Sequence, residues 1–204
     1  MLIENIASSI VGIIGSLGYG GVLVLMFLES TFFPFPSEIV IIPAGYLASR
    51  GELNLYLVIF FGIAGSLLGS LFNYYIAKTL GRTTILRYGK YFFLNEDKLV
   101  KVERFFQEHG EISTFIGRLI PGVRQYISFP AGLGKMNMAK FCFYTSFGAG
   151  LWVTILAFIG YLVGSSPDLV RQYSSLATKL VLLFSVLLTI LYIYYKKRKA
   201  YKQI

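Results

Sequence analysis

The chain has 204 residues, 55% of them hydrophobic and 14% charged, with a mean hydropathy of +0.65. That balance excludes an ordinary soluble domain with a charged surface and predicts an integral membrane protein. The formal net charge of +9 does not point to nucleic acid: Lys196, Lys197, Arg198, Lys199 and Lys202 crowd the C-terminus, seven more basic residues run from Lys78 to Arg104, and both clusters abut apolar windows.

A spanning helix needs roughly 20 apolar residues. Windows of that kind lie at Ile6–Leu28, Leu55–Ala77, Phe141–Val163 and, slightly short, Leu180–Tyr195, so four full crossings are predicted. Glu4 precedes the first window where a signal peptide would carry a basic region, and no small-residue cleavage site follows, so that window is expected to stay in the mature protein. The single cysteine, Cys142, excludes an intramolecular disulfide and a cysteine metal cluster. Placing both basic clusters in the cytoplasm makes the span 55–77 run inward, the span 139–163 outward and the C-terminal span and basic tail, 176–204, inward again.

Two stretches between the spans, 29–50 and 113–134, are apolar yet broken by Pro34, Pro36 and Pro43 in the first and by Pro121, Gly122 and Pro130 in the second. Proline removes a backbone donor and clashes with the preceding turn, so neither should form one straight helix. Each is read as a re-entrant hairpin, a segment that enters and leaves the membrane on one side, with Pro-kinked spans as the alternative. Between the halves, Leu99, Val102, Phe105 and Phe106 recur at helical spacing within 95–111, which predicts a cytoplasmic amphipathic helix with a solvated His109 near its end.

The hairpins repeat. Pro34 and Pro43-Ala44-Gly45 recur at the same spacing as Pro121 and Pro130-Ala131-Gly132, and Asn54, Gly65 and Gly81 recur as Asn137, Gly148 and Gly164. The halves 29–81 and 113–164 thus each hold a hairpin and a span. Their spans run in opposite directions, which makes the architecture an inverted repeat in an all-α membrane protein. Paired broken segments at matching positions point to a transport site near the bilayer midplane. Gly65-Ser66-Leu67-Leu68-Gly69 is the small-residue pattern of close helix packing.

The first hairpin carries Glu29 and Glu38, the second Arg118 and Arg124. Aligned on their Pro-Ala-Gly ends, Ser37 meets Arg124 and Thr31 meets Arg118. A charge at the bilayer centre costs roughly 2.5–3.5 kcal/mol on insertion scales, so four of them require partners. One reading is a structural ion-pair lock. The other is an anion site, in which planar guanidinium forks hold phosphate or carboxylate and the glutamates hold the arginines or carry protons.

The Glu29 segment, Phe35-Pro36-Ser37-Glu38 and Gly117-Arg118-Leu119-Ile120-Pro121-Gly122-Val123-Arg124 together resemble the DedA family of bacterial membrane proteins, also called the SNARE-associated or VTT-domain family, over roughly residues 15–165. The resemblance implies facing re-entrant hairpins, functional acids at Glu29 and Glu38 and functional arginines at Arg118 and Arg124. It also implies a bacterial cytoplasmic-membrane protein that moves a lipid phosphate, above all undecaprenyl phosphate, from the outer to the inner leaflet. Ser37 departs from the glycine that many relatives carry in the first turn.

A lipid pyrophosphate phosphatase is the enzymatic alternative. It would bring a Glu-rich motif, a serine-rich turn beside the arginine and a histidine, whereas Val123 and Gln125 flank Arg124 here and no histidine is near. With no metal site or activated nucleophile visible, the expectation is a transporter without cofactor or metal whose partners are its lipid substrate and the surrounding lipids. A phospholipid flippase or scramblase, a proton-coupled exporter of a small solute, and a packing scaffold are the competing readings.

Overall fold

The computed structural model describes residues 12–31, 36–81, 96–120, 122–162 and Ile190. The expected C-terminal span, the loop before it, Pro34, Pro121 and much of the Lys78–Arg104 cluster lie outside the described residues. Every regular element among them is helical: α1 (Tyr19–Glu29), α2 (Glu38–Ser49), α3 (Leu55–Ile76, continued by a π-turn over Ala77–Gly81), α4 (Glu96–Leu119), α5 (Ser128–Leu133) and α6 (Met138–Leu162).

Two of these are long and apolar enough to cross a membrane, Leu55–Gly81 and Met138–Leu162. At 1.5 Å per residue the 22 residues of α3 and the 25 of α6 reach about 33 and 37 Å, against a hydrocarbon core of about 30 Å. Both start on asparagine. The Asn54 side chain accepts from the backbone N–H of Tyr56 (2.9 Å) and Leu57 (3.3 Å), and Asn137 accepts from Lys140 N–H (3.2 Å). By contrast, α1 and α2 have 11 and 12 residues, enough for about half that thickness.

Several boundaries differ from the sequence reading. The window Ile6–Leu28 is not one helix. Residues 12–17 are helical, Gly18 takes φ 55° and ψ −131°, which only glycine adopts readily, and α1 begins afresh at Tyr19. Pro43 and Pro130, expected as break points, do not interrupt helical structure, because both lie inside helices. Pro43 forfeits a single helical bond in mid-α2, and Pro130 is the third residue of α5, among N–H groups that lack a helical partner in any case. Helical structure is interrupted instead between α1 and α2, where Ser30, Thr31, Pro36 and Ser37 are described, and between α4 and α5, where Ile120 and 122–127 are described and Gly122 has φ 80°; the described residues of these two joints are called the first and second reversals below. The helix expected over 95–111 continues unbroken to Leu119. His109 is not solvated: its side chain is 12% exposed and its ring stacks on Phe105, with centroids 5.3 Å apart.

Close backbone approach assembles the bundle. A methyl group at Gly65 or Gly69 would strike the carbonyl of Leu23 or Phe27, so α1 lies directly on α3, as the small-residue spacing predicted. One at Gly45 would strike the Ala157 carbonyl, and one at Gly160 the Ile42 carbonyl, so α2 lies on α6. One at Gly132 would strike the Tyr74 carbonyl, which seats α5 on α3. Gly62 faces Val153 where α3 and α6 cross. Around this framework Val22, Met26, Val40, Ile41, Val58, Trp152 and Leu156 form one apolar cluster, and Tyr74, Phe106, Met136 and Phe141 another. At about 25 cal/mol per Å² the apolar contact holds the bundle only where water is the competitor; in lipid, close packing and buried polar contacts carry more of the load.

Candidate anion site at the meeting of two helix reversals

Glu29 ends α1, Arg118 lies in the last turn of α4, and Arg124 sits in the 120–127 reversal. The fold brings all three together, at 2%, 3% and 8% exposure. Arg124 directs Nε (3.0 Å) and Nη2 at the same oxygen, Glu29 Oε1, and Ser30 Oγ donates to Oε2 at 2.9 Å. The pair is therefore a fork closed on one carboxylate oxygen. The Arg124 guanidinium carbon also lies 5.4 Å from the centre of the Trp152 ring, over its face.

Arg118 is held differently. Its Nη2 donates to Ser70 Oγ and to Ser128 Oγ (2.6 Å), while its Nε is buried with no hydrogen-bond partner. Among the described residues it makes no ion pair. Gly148 makes room for it: a methyl group there would come within 2.7 Å of Arg118 Cβ. The same position of α3, Gly65, faces Leu23 and Met26, as Gly148 faces Phe115 and Arg118. Arg118 thus packs on Gly148 as Met26 packs on Gly65, whereas the Pro-Ala-Gly alignment sets it against Thr31.

Two guanidiniums and one carboxylate leave one positive charge in a site walled by helices. Burying a guanidinium without a counter-ion costs several kcal/mol, and arginine does not escape the cost by losing its proton. Such a site attracts an anion. In this arrangement it is shut: Glu29, Ser30, Ser66, Arg118, Arg124 and Trp152 border a cavity of about 10 Å³, room for about one water molecule and not for a phosphate group.

Glu38 is not brought to the cluster. It is half-buried in the first turn of α2 and makes no hydrogen bond or ion pair among the described residues. Conversely, the site recruits residues that the sequence reading passed over. Ser66, Ser70 and Asn73 follow one face of α3 and are all buried. Ser70 back-bonds to the Ser66 carbonyl, Ser30 Oγ lies 3.1 Å from Ser66 Oγ, and Asn73 Nδ2 donates to the Ser30 carbonyl at 3.1 Å. Three polar residues at i, i+4 and i+7 in an apolar span were the available signal. Trp152 gave none beyond being the one tryptophan. It donates from Nε1 to Ser37 Oγ at 3.0 Å; Ser37, whose backbone is already helical, does not cap α2 with its side chain. No group of three or more His, Cys, Asp or Glu side chains fit to hold a metal occurs among the described residues.

Residues 35–162 match the VTT domain family model. The uncharacterized membrane protein YkoX of Bacillus subtilis is 34% identical over 97% of this chain and 87% of its own length. Undecaprenyl phosphate transporter A of the same organism is 31% identical over 96% of this chain and 97% of its own length. A Lactococcus lactis protein named alkaline phosphatase-like is 30% identical, covering 93% and 92%. No solved structure matches. With the family model spanning more than half of its length and these relatives covering nearly all of it, the chain belongs to the VTT-domain, or DedA, family of membrane proteins.

Proposed function

We propose that this protein is a membrane transporter that moves a lipid phosphate, with undecaprenyl phosphate the leading candidate, from the outer to the inner leaflet of the bacterial cytoplasmic membrane. The observation that carries the reading is Arg118: a buried guanidinium with no carboxylate partner among the described residues, beside an Arg124–Glu29 pair on the same cavity. The uncompensated charge attracts the head group. Its arrival lets Arg124 exchange Glu29 for phosphate, and the hydrocarbon tail stays in lipid while the head passes between the two reversals. Glu38, without a partner among the described residues, is the carboxylate left to bind a proton or to receive an arginine during the cycle. The 31% identity to a protein named undecaprenyl phosphate transporter A supports the substrate class.

Alternating access fits an inverted repeat of two re-entrant hairpins, and equivalent contacts support that reading. Asn54 and Asn137 cap the two long helices at matching positions, and Gly65 and Gly148 receive the first arms. Gly45 meets the Ala157 carbonyl as Gly132 meets that of Tyr74, so the second arm of each hairpin crosses to the span of the other half. The half-thickness of α1 and α2 suits hairpins that turn back at mid-membrane. The basic clusters before Arg104 and after Tyr195 favour a cytoplasmic C-terminus.

A hydrolytic reading has one observation behind it: Ser30 Oγ is 2.9 Å from a Glu29 oxygen and borders the same cavity as Arg118 and Arg124, in a chain related to a protein named alkaline phosphatase-like. One experiment separates the possibilities. Vesicles containing the purified protein receive labelled undecaprenyl phosphate or a labelled phospholipid, with and without a proton gradient. Leaflet exchange and released inorganic phosphate are both measured. Transport of the phosphate monoester, falling at least tenfold in Arg118→Gln and Arg124→Gln, is expected. Wild-type rates in both variants would sink the anion-site assignment, phospholipid movement alone would favour a flippase or scramblase, and phosphate release lost in Ser30→Ala would favour hydrolysis.

A further inference from the structure

The closed cavity raises a question that the charged residues do not answer: what holds the two reversals together over a site with room for about one water molecule? Two side chains, one from each long helix, touch both reversals. From α3, Asn73 donates through Nδ2 to the Ser30 carbonyl at 3.1 Å and, at the outer limit of a hydrogen bond, to the Gln125 carbonyl at 3.5 Å. From α6, Trp152 donates to Ser37 Oγ at 3.0 Å and presents its ring face to Arg124 at 5.4 Å. Ser30 and Ser37 bracket the first reversal, and Arg124 and Gln125 belong to the second.

We infer that Asn73 and Trp152 are positioning residues that together form the gate of the transport site, each clasping both reversals so that Arg118 and Arg124 are exposed to a head group only when both clasps release. The two clasps sit on different helices and hold Ser30, at the end of α1, to Gln125 and Ser37, at the start of α2, to Arg124, so parting those residues breaks both clasps. Asn73 is buried and its Oδ1 has no partner, a polar atom kept out of water by the closed arrangement. Ser37 has a role here that a glycine at its place would not supply: its hydroxyl is the acceptor that ties the first reversal to α6. The gate rests on the proposed transport reading for its purpose but not for its existence, since it is defined by access to the cavity.

The test therefore reads access without lipid. In a Cys142→Ser background, Ser66→Cys puts a thiol in the cavity wall, and its alkylation by a small water-soluble maleimide is timed in the purified full-length protein. Trp152→Phe keeps an aromatic face and loses the N–H donor, Asn73→Leu loses the amide, and Ser37→Ala loses the acceptor while leaving both clasping residues in place. Each is expected to speed alkylation about two- to tenfold, the shift that loss of one hydrogen bond produces in an opening equilibrium, and Trp152→Phe with Ser37→Ala should be no faster than either alone because both remove one contact. Thermal melting identifies variants that have simply lost structure; should Trp152→Phe or Asn73→Leu fail that check, Ser37→Ala decides. Unchanged alkylation in folded variants would overturn the gate. Faster alkylation together with absent lipid movement in the vesicle assay would leave the gate standing and remove the transport reading.

Discussion

Arg118→Gln and Arg124→Gln remove the same charge from the same cavity, yet they are expected to move stability in different directions. Arg124→Gln strands Glu29, 2% exposed, with Ser30 as its remaining hydrogen-bond donor. Breaking a buried pair by deleting one partner costs about 3–5 kcal/mol; alternative partners in a membrane-bound unfolded state bring the expected loss nearer 3. Arg118→Gln gives up hydrogen bonds to Ser70 and Ser128, about 1.5–3 kcal/mol each for a charged donor, but the glutamine amide retains at least one. It also relieves several kcal/mol of burial of an uncompensated guanidinium. The net expectation is no loss, or a gain of up to about 2 kcal/mol. Reversible unfolding of both purified proteins in mixed micelles measures the difference, and the same samples go into the vesicle assay, where both should fail. If Arg118→Gln were as destabilising as Arg124→Gln, Arg118 would have a counter-ion after all, and the division between a locked arginine and a waiting one would be wrong.

Gly45→Val and Gly132→Val are expected to destabilise by at least about 1–3 kcal/mol each, because a side chain there collides with the backbone of Ala157 or Tyr74 and no rotamer avoids it; losses in the melting temperature of one and not the other would contradict the matching seats of α2 and α5. At the polar end of the bundle, Lys140 and Tyr144 both donate to Glu111 and hold its carboxyl below the usual carboxylate range, the Lys140 hydrogen bond first and Tyr144 second. A depressed carboxyl stabilises the fold above its unfolded value of about 4.5 and loses that contribution as pH falls through the folded value beneath it. Both ends of the Glu111–Lys140 pair are exposed, so the effect is small: Glu111→Gln should melt slightly earlier than the wild type at neutral pH, with the gap closing below pH 4.5. A gap independent of pH would remove the ion pair as its cause.

Composition and hydropathy were enough to determine an all-helical membrane protein, because a segment that must satisfy its own backbone in lipid has few choices. The two long helices were legible as apolar windows, and their asparagine starts as a recurring residue whose use as a cap depends on local geometry alone. The acids and arginines were legible as candidates because a charge in an apolar run is costly wherever the fold places it. The pairing was not. Glu29 takes Arg124, Arg118 is left with hydroxyls, and Glu38 stands apart, because which charges meet is set by how the helix ends pack against α3 and α6, and spacing along the chain does not carry that. Proline misled for a related reason. Its cost depends on where in a helix it falls, and Pro43 and Pro130 fall where a helix can absorb them. Asn73 and Trp152, with Ser66 and Ser70, became part of the site only in three dimensions. A serine or tryptophan in a spanning helix is unremarkable until the helix crossing fixes which face it presents, and that crossing is set by glycines pressed against the carbonyls of a neighbouring helix.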